Sequence, residues 1–473
     1  MLANEDLLAL MSYDDKWQLA YHQMPVSGWM NDPNGSIQVD GTYHLYYQYQ
    51  PNSANGGATH WGHKTSTDLV HFCDEPIFLS PDQAFDRDGV YSGSAIQVGD
   101  DIHYFYTGNV KEAGFHDYTF SGRQQNVIHV VSPDGYQINQ REVVIPHKDF
   151  PDEFTDHIRD PKLFQHEDYF YMILGGRLRT NKGAILLYRS TNLSDWTYRG
   201  YFLSGDDDQG YMWECPDTFT VDGQDVLMFS PQGVIGDRYH FQNTHNAGYL
   251  LGQFDWEKEQ FDVQSPFYEL DQGFDFYAPQ SFVDEQGRRI MWAWFGLPDI
   301  SPEYSNPTVA YGWQHAMTLP RQLFYEEGQL KQRVVSDYQK LRAHHQQILA
   351  CKDSQGKLAG QVYELEIKGE NIRDLSLDLR QDTKISYHAD SQEFVLAHGP
   401  SGCGRRKRCL KLKQLDHLHI YSDWSSLEIF INDGQQVMST RVYPDKGQDT
   451  IHLQTDSPCD IDLWDLKSSK GDK

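Results

Sequence analysis

The six cysteines, Cys73, Cys215, Cys351, Cys403, Cys409 and Cys459, are scattered, and no two form a CxxC pair. That spacing matches no common zinc pattern, so no metal is expected. Free thiols suit a cytosolic compartment, and a Cys403–Cys409 bridge is not expected. Basic residues are scarce: 40 Lys and Arg face 68 Asp and Glu, a formal net charge of −28. Such a field repels nucleic acid and anionic membranes, so neither is expected as a partner. No apolar run approaches the ~20 residues that cross a bilayer. The first residues, MLANEDLLALMSYDDKWQLA, lack a basic start and are broken by acids, which does not read as a secretory signal. LLALM within them is expected to pack as part of an N-terminal helix. These absences point to a cytoplasmic globular protein, and none of them specifies an oligomeric state.

Aromatic residues, by contrast, are plentiful at 14% of 473 positions. They suit strands and surfaces on which sugars stack. The stretch that organises the chain is His22 to Gly35, HQMPVSGWMNDPNG. Pro33 removes a backbone donor and Gly35 permits a tight turn, so no regular helix fits. The aromatic run YHLYYQY follows. Asp32 therefore sits at the mouth of a strand with Trp29 nearby, the setting a sugar-cleaving carboxylate needs. An Asx turn before a strand is the simpler reading of NDPNG taken alone.

Four further segments share this texture: YSGSAIQVGDDIHYFYTG, RDPKLFQHEDYFYMILGG, ECPDTFTVDGQDVLMFSPQG and DFYAPQSFVDEQGRRIMWAWF. The five open at Asp32, Ser92, Asp160, Glu214 and Asp275, about 61 residues apart on average. Asp32, Asp160 and Glu214 each stand eight residues before a turn acid, Asp40, Asp168 and Asp222. A repeat of this length built from short strands predicts five propeller blades of four strands each. Innermost strands would then line one funnel, and acids at one register would converge in one pocket.

The texture changes after MTLPRQLFYEEGQLKQRV. Helical spacing and good helix formers predict a linker helix over 336–350. Alternating runs follow, with a hairpin signal at Asn432, Asp433 and Gly434. The expectation is an all-β chain: a five-bladed β-propeller over 1–335, the linker helix, and a β-sandwich over 351–473. RRKR at 405–408 is read as a solvated loop, and GDDDQG at 205–210 as an acidic surface loop without calcium-loop spacing.

WMNDPNG at 29–35, YQYQP at 47–51, WGH at 61–63, YSGSA at 91–95, RDPK at 159–162, ECPD at 214–217, DFYAPQ at 275–280 and MTLPR at 317–321 occur in this order. The set resembles the family 32 glycoside hydrolases, which include invertases and other β-fructofuranosidases. YMWECPD at 211–217 and LMFSPQG at 227–233 resemble the intracellular sucrose-6-phosphate hydrolases of bacteria within that family. Tyr91 stands where many members carry Phe, and SNPTVAYGW at 305–313 departs from the usual charged loop.

The resemblance implies a retaining enzyme that forms a covalent fructosyl intermediate and cleaves sucrose 6-phosphate, sucrose or both, with no cofactor. A fructosyltransferase or fructan hydrolase on the same fold is the alternative, and a non-catalytic sugar-binding propeller a more remote one. Retention needs two carboxyls roughly 5–5.5 Å apart. By motif position Asp32 would be the nucleophile, Glu214 the acid and base, and Asp160 the stabiliser of positive charge on the sugar. Clustered carboxylates repel, so one should keep its proton, and Glu214 is the expected holder. Arg159 would offset the remaining charge. Asn31, Gln48, Trp61, Tyr91, Ser92 and Trp294 would line the fructose subsite, and Gln232 the leaving-group side. Asp275 is open to two readings, a hydrogen bond to sugar or a structural turn. Arg238, Tyr239 and His240 are the candidates for a phosphate contact, although Asp237 would partly cancel Arg238.

Overall fold

The computed structural model describes residues 16–350 and 355–470. The LLALM segment and Cys351 lie outside them. The chain is all-β, and its first part is five antiparallel sheets laid down in sequence order. Each starts on one strand and pairs outward through three more. The starting strands are Gly28–Val39, Val90–Val98, Phe154–His166, Met212–Val221 and Tyr277–Val283. Each packs on the next, and Tyr277–Val283 packs back on Gly28–Val39. A short parallel pairing of Trp313–Gln314 with Gly28 and Trp29 ties the fifth unit's excursion to the first sheet.

Turn chemistry explains the meanders. Asp40-Gly41 and Asp222-Gly223 both take positive φ, +49° and +78° in one and +48° and +82° in the other. Those angles belong to the two-residue hairpin turn whose twist matches the flanking strands. The starting strands also share a defect. Their registers slip between Met30 and Pro33, Val90 and Gly93, Arg159 and Lys162, Glu214 and Asp217, and Tyr277 and Gln280. In four of the five the bulge contains a proline, which has no ladder donor to give. A bulge bends the strand and re-aims its side chains, here at the same level in all five sheets.

The second part is two six-stranded sheets with a common apolar core that includes Leu365, Leu377, Ile385, Leu396, Ile420 and Ile429. The linker helix predicted over 336–350 is not formed. Ser336–Leu341 is a 3-10 helix, and Arg342–Ala350 is a strand antiparallel to Cys459–Leu466. An open sheet edge offers that segment a full ladder of hydrogen bonds, which outweighs its modest helix propensity.

The two parts share one apolar cluster. Tyr421, Phe430, Val437 and Leu466 pack with Tyr21, Phe282, Ile290 and Trp292. Ions are buried there too. Arg321 meets Glu428 at 2.6 Å and Asp271 at 3.2 Å, and His22 lies between Asp423 at 2.8 Å and Glu428 at 3.1 Å. RRKR is not a solvated loop: Arg405 is fully buried and clamps both oxygens of Asp275 at 2.7 Å. Arg408 bonds Asn243 at 2.7 Å and lies over the Phe274 ring. Removing one member of a buried pair leaves the other charge bare. Arg405→Met is therefore expected to lower unfolding stability by about 3–5 kcal/mol, read as a fall in urea midpoint. An unchanged midpoint refutes the inferred contribution of this clamp.

Candidate active site

Aligning the five starting strands on their bulges gives two tiers. Asp32, Ser92, Asp160, Cys215 and Ala278 form one, each directly before Pro or, for Ser92, Gly. Asn31, Tyr91, Arg159, Glu214 and Tyr277, one residue earlier, form the other. The expected single register of Asp32, Asp160 and Glu214 is thus corrected: Glu214 is offset by one residue from the two aspartates. Asp160, Cys215 and Ala278 take φ of +65°, +48° and +48°. Left-handed backbone at three residues of one tier is strain held at a site, of order 1–3 kcal/mol each.

A cavity of about 480 Å³ opens over the tiers, lined by Asp32, Asp160 and Glu214 together. That is ample for a small ligand. Asn31, Gln48, Tyr91, Arg159, Gln232 and Trp294, all expected, line it as well. Ser92 does not line it but donates to Asp32 Oδ2 at 2.5 Å. Two expectations are corrected. Trp61 is fully buried core, its Nε1 donating to the Tyr91 carbonyl at 3.0 Å. Asp275 belongs to the Arg405 clamp, four residues before the bulge proline Pro279, too early to reach the cavity.

Arg238, Tyr239 and His240 do not line the cavity either. Arg238 and Tyr239 reach Glu393 of the second part at 2.6 and 2.9 Å, and His240 lies 3.4 Å from Glu269. The sequence reading missed Tyr277, Cys215, His157, Arg123, Arg177 and Tyr211 on the cavity wall. Aligning on proline would have found Tyr277 and Cys215. The others follow no repeated motif: His157 lies early on a starting strand, Arg177 on a second strand, Arg123 at the start of a third and Tyr211 in a loop. Asp206, Asp207 and Asp208 of GDDDQG are exposed, as expected.

Asp32 is pinned by donors. Besides Ser92, Asn31 Nδ2 gives to Oδ1 at 3.0 Å and Gln48 Nε2 to Oδ2 at 3.4 Å. Trp29 Nε1 donates to Asn31 Oδ1 at 2.8 Å and so sets that amide's orientation. Glu214 is held from both sides. Arg159 Nη2 donates to Oε1 at 2.6 Å, while Gln232 Nε2 and Tyr277 OH donate to Oε2, each at 2.6 Å. Asp160 accepts from the Cys215 amide at 2.9 Å. The Cys215 thiol bridges the aspartates, 3.7 Å from Asp32 and 3.6 Å from Asp160.

The proton is not where the sequence reading put it. Burial raises Glu214's pKa, but Arg159 and the Tyr277 hydrogen bond overcome that, and the net shift is downward. Burial pushes Asp160 up to about 7, opposed by Arg159 and helped by the charges of Glu214 and Asp32. Burial likewise raises Asp32. The physical reason is where Arg159 points: it lies against Glu214 and stands 3.9 Å from its own neighbour Asp160. A carboxyl raised to about 7 from an ordinary value near 4 favours folding when protonated. Its contribution to stability therefore falls between about pH 4 and pH 7. Asp160→Asn is expected to raise the thermal midpoint by a few degrees at pH 8, a gain that vanishes below about pH 4. A lower midpoint at pH 8 refutes this.

A second cavity of about 470 Å³ is lined by Lys162, Thr218, Gln280 and Arg289, residues further along the starting strands and on a neighbouring one. The acid beside it, Asp217, is ion-paired with Lys162 at 3.1 Å, so no pair of free carboxyls faces it. Among the described residues no helix is long and apolar enough to cross a membrane.

Comparison with known proteins gives a consistent result. The glycosyl hydrolases family 32 N-terminal domain matches residues 22–334, and the family's C-terminal domain matches 333–465. A sucrose-6-phosphate hydrolase of Bacillus subtilis is 38% identical over 459 residues, covering 94% of this chain and 93% of that one. One from Escherichia coli is 37% identical, covering 92% and 91%. Among solved structures, a sucrose-6-phosphate hydrolase from Lactobacillus gasseri superposes with a TM-score of 0.88 at 30% identity, covering 98% of this chain and 96% of that one. A GH32 beta-fructofuranosidase of Bombyx mori gives 0.86 at 27%, covering 98% and 97%. Two family domains spanning nearly the whole chain, over a pocket of three carboxyls, make this protein a glycoside hydrolase that belongs to the glycosyl hydrolases family 32.

Proposed function

We propose that the chain is a retaining β-fructofuranosidase that hydrolyses sucrose 6-phosphate and sucrose, working on a five-bladed β-propeller with a β-sandwich behind it. The observation that carries this reading is the sharing of one cavity by Asp32, Asp160 and Glu214, each in a different polar setting. The ring of starting strands supports the propeller, and the substrate names of the relatives support the sugar.

Asp32, its oxygens aimed by Asn31, Gln48 and Ser92, attacks the anomeric carbon of the fructosyl unit. The Asp32–carbon bond forms as the glycosidic carbon–oxygen bond breaks, and Glu214 passes its proton to the departing oxygen. Asp160 in its ionised form accepts hydrogen bonds from hydroxyls of the fructose ring and offsets the charge of the oxocarbenium-like transition state. Glu214 is ionised in the open pocket. A sugar that displaces water from it raises its proton affinity, so that it takes up one proton from solvent before the glycosidic bond breaks and then serves as acid. In the second half Glu214 takes a proton from water, the water oxygen attacks the same carbon, and Asp32 leaves. Two displacements at one carbon return the original configuration. Trp294 lines this wall as well and offers the sugar an aromatic face.

The test is product analysis with sucrose and sucrose 6-phosphate. Equimolar fructose and glucose, or glucose 6-phosphate, is the expected outcome, with the β anomer of fructofuranose released first. Oligosaccharides in place of free fructose would indicate transfer to sugar instead of water, and no cleavage would reject the reading.

A further inference from the structure

The cavity extends past Glu214 to a wall that the fructosyl chemistry does not use. Arg123, Arg177, Tyr211 and Thr119 line it there. A chain of contacts leads outward to it. Glu214 is bonded to Arg159, Arg159 Nη1 donates to His157 Nδ1 at 3.0 Å, and His157 Nε2 donates to the Tyr118 carbonyl at 2.6 Å. Burial, then the charges of Arg159 and Arg123, drive His157 down to about 3, so it stays neutral between two cations.

Arg159 is neutralised by Glu214. Arg123 and Arg177 are not. Among the described residues neither has a carboxylate within ion-pair distance, and Arg123 Nε is buried with no partner. The Arg177 guanidinium is stacked between the Phe120 ring at 4.3 Å and the Tyr211 ring at 4.6 Å. Its Nε and Nη2 both donate to Asn181 Oδ1, which leaves Nη1 uncommitted. Asp117, the acid whose charge Arg177 feels, accepts the amides of Thr119, Phe120 and Ser121 instead. Those bonds order the segment that carries Thr119. Asp299, also on the cavity wall, is engaged by His245 at 3.0 Å.

Two planar forks without counter-ions, one held between two rings, beside a hydroxyl and a phenol, are a recognition set for a tetrahedral dianion. In a chain of net charge −28 their survival unpaired needs a ligand to account for it. The geometry points to Arg123 and Arg177 as the reader of the phosphate monoester on the leaving glucosyl unit, with Tyr211 and Thr119 as supplementary donors. This rests on the fructoside-cleaving reading above and replaces the Arg238, Tyr239 and His240 set.

The experiment is the ratio of kcat/KM for sucrose 6-phosphate to that for sucrose, measured for the wild type, Arg123→Gln, Arg177→Met, Arg177→Lys and the Arg123→Gln/Arg177→Met double variant. Each ratio is internal to one preparation, so a fraction of misfolded protein cancels. The expected result is a wild-type ratio above one, about a tenfold fall for Arg123→Gln or Arg177→Met, and about a hundredfold fall for the double variant. Arg177→Lys, which keeps the charge and loses the fork, should fall between wild type and Arg177→Met. Product inhibition by glucose 6-phosphate should weaken in step. Ratios within twofold of wild type across the series overturn the assignment, as does a wild type that cleaves sucrose but not its 6-phosphate. A wild type that cleaves neither sugar rejects the fructosidase reading itself, which is a different outcome.

Discussion

Asp32→Ala is expected to lower kcat for sucrose by at least ~10⁴-fold, which corresponds to about 5.5 kcal/mol of lost transition-state stabilisation. The size follows from the role. Without a carboxylate under the anomeric carbon no covalent intermediate forms, and the remaining polar groups can only hold the sugar. Asn31, Gln48 and Ser92 keep one another in place through the 2.8 Å bond from Asn31 to Gln48 and the 2.5 Å bond from Gln48 to Ser92. The variant should therefore still fold. Its thermal midpoint should match or exceed that of wild type, because burial makes the native carboxylate unfavourable. Paired activity and melting measurements check both halves. Residual turnover above one per cent with a native melt removes Asp32 from the nucleophile role.

Glu214→Gln should cost about 10³-fold in kcat/KM on sucrose, within the range of a lost general acid and base, and far less in kcat/KM on an activated aryl fructoside whose leaving group needs no proton. The isosteric amide cannot reproduce the present environment. Arg159, Gln232 and Tyr277 all donate to Glu214, so an amide NH₂ would face donors on at least one side. Tyr277 or Gln232 must then turn away. With the aryl fructoside, the first step proceeds and the second, which needs Glu214 as base, lags. A fructosyl adduct should accumulate and appear as a mass increase of one fructosyl unit on the peptide carrying Asp32. Equal losses on both substrates, with no adduct, would exclude Glu214 as the proton donor.

Much of this was legible in the sequence because the repeat is written in backbone chemistry. NDP, RDP, ECP and YAP place a proline in four starting strands, and the turn pairs Asp40-Gly41 and Asp222-Gly223 mark the hairpins. The all-β class followed from these signals, and so did Asp32, Asp160 and Glu214 as candidates for one pocket. What misled was counting from turns instead of from prolines. That put Glu214 level with the aspartates and hid its place beside Arg159, and with it the reversal of which acid holds the proton.

Other errors have one shared cause, partners distant in sequence. Arg405 looked solvated because Asp275 is 130 residues away. The segment after Ser336 looked helical because the edge it joins, Cys459–Leu466, lies more than a hundred residues downstream. Trp61 looked like a pocket wall because its motif runs in order with those of Asn31, Gln48 and Tyr91, which do line the cavity, while its own ring packs in the core. Arg123 and Arg177 could not be singled out among the basic residues, since what distinguishes them is that, among the described residues, no carboxylate stands within ion-pair distance of either guanidinium.

The buried ions that straddle the two halves have a consequence for how the protein can be cut. His22 and Arg321 need Asp423 and Glu428, and Asp275 needs Arg405. A gene fragment stopping near residue 335 would keep every pocket residue yet leave His22 and Asp275 without their ion-pair partners and Arg321 with Asp271 alone. Expressed alone it should aggregate. Adding the missing half in trans should restore solubility, because it brings back the partners of the buried ions and the apolar cover over Phe282, Ile290 and Trp292.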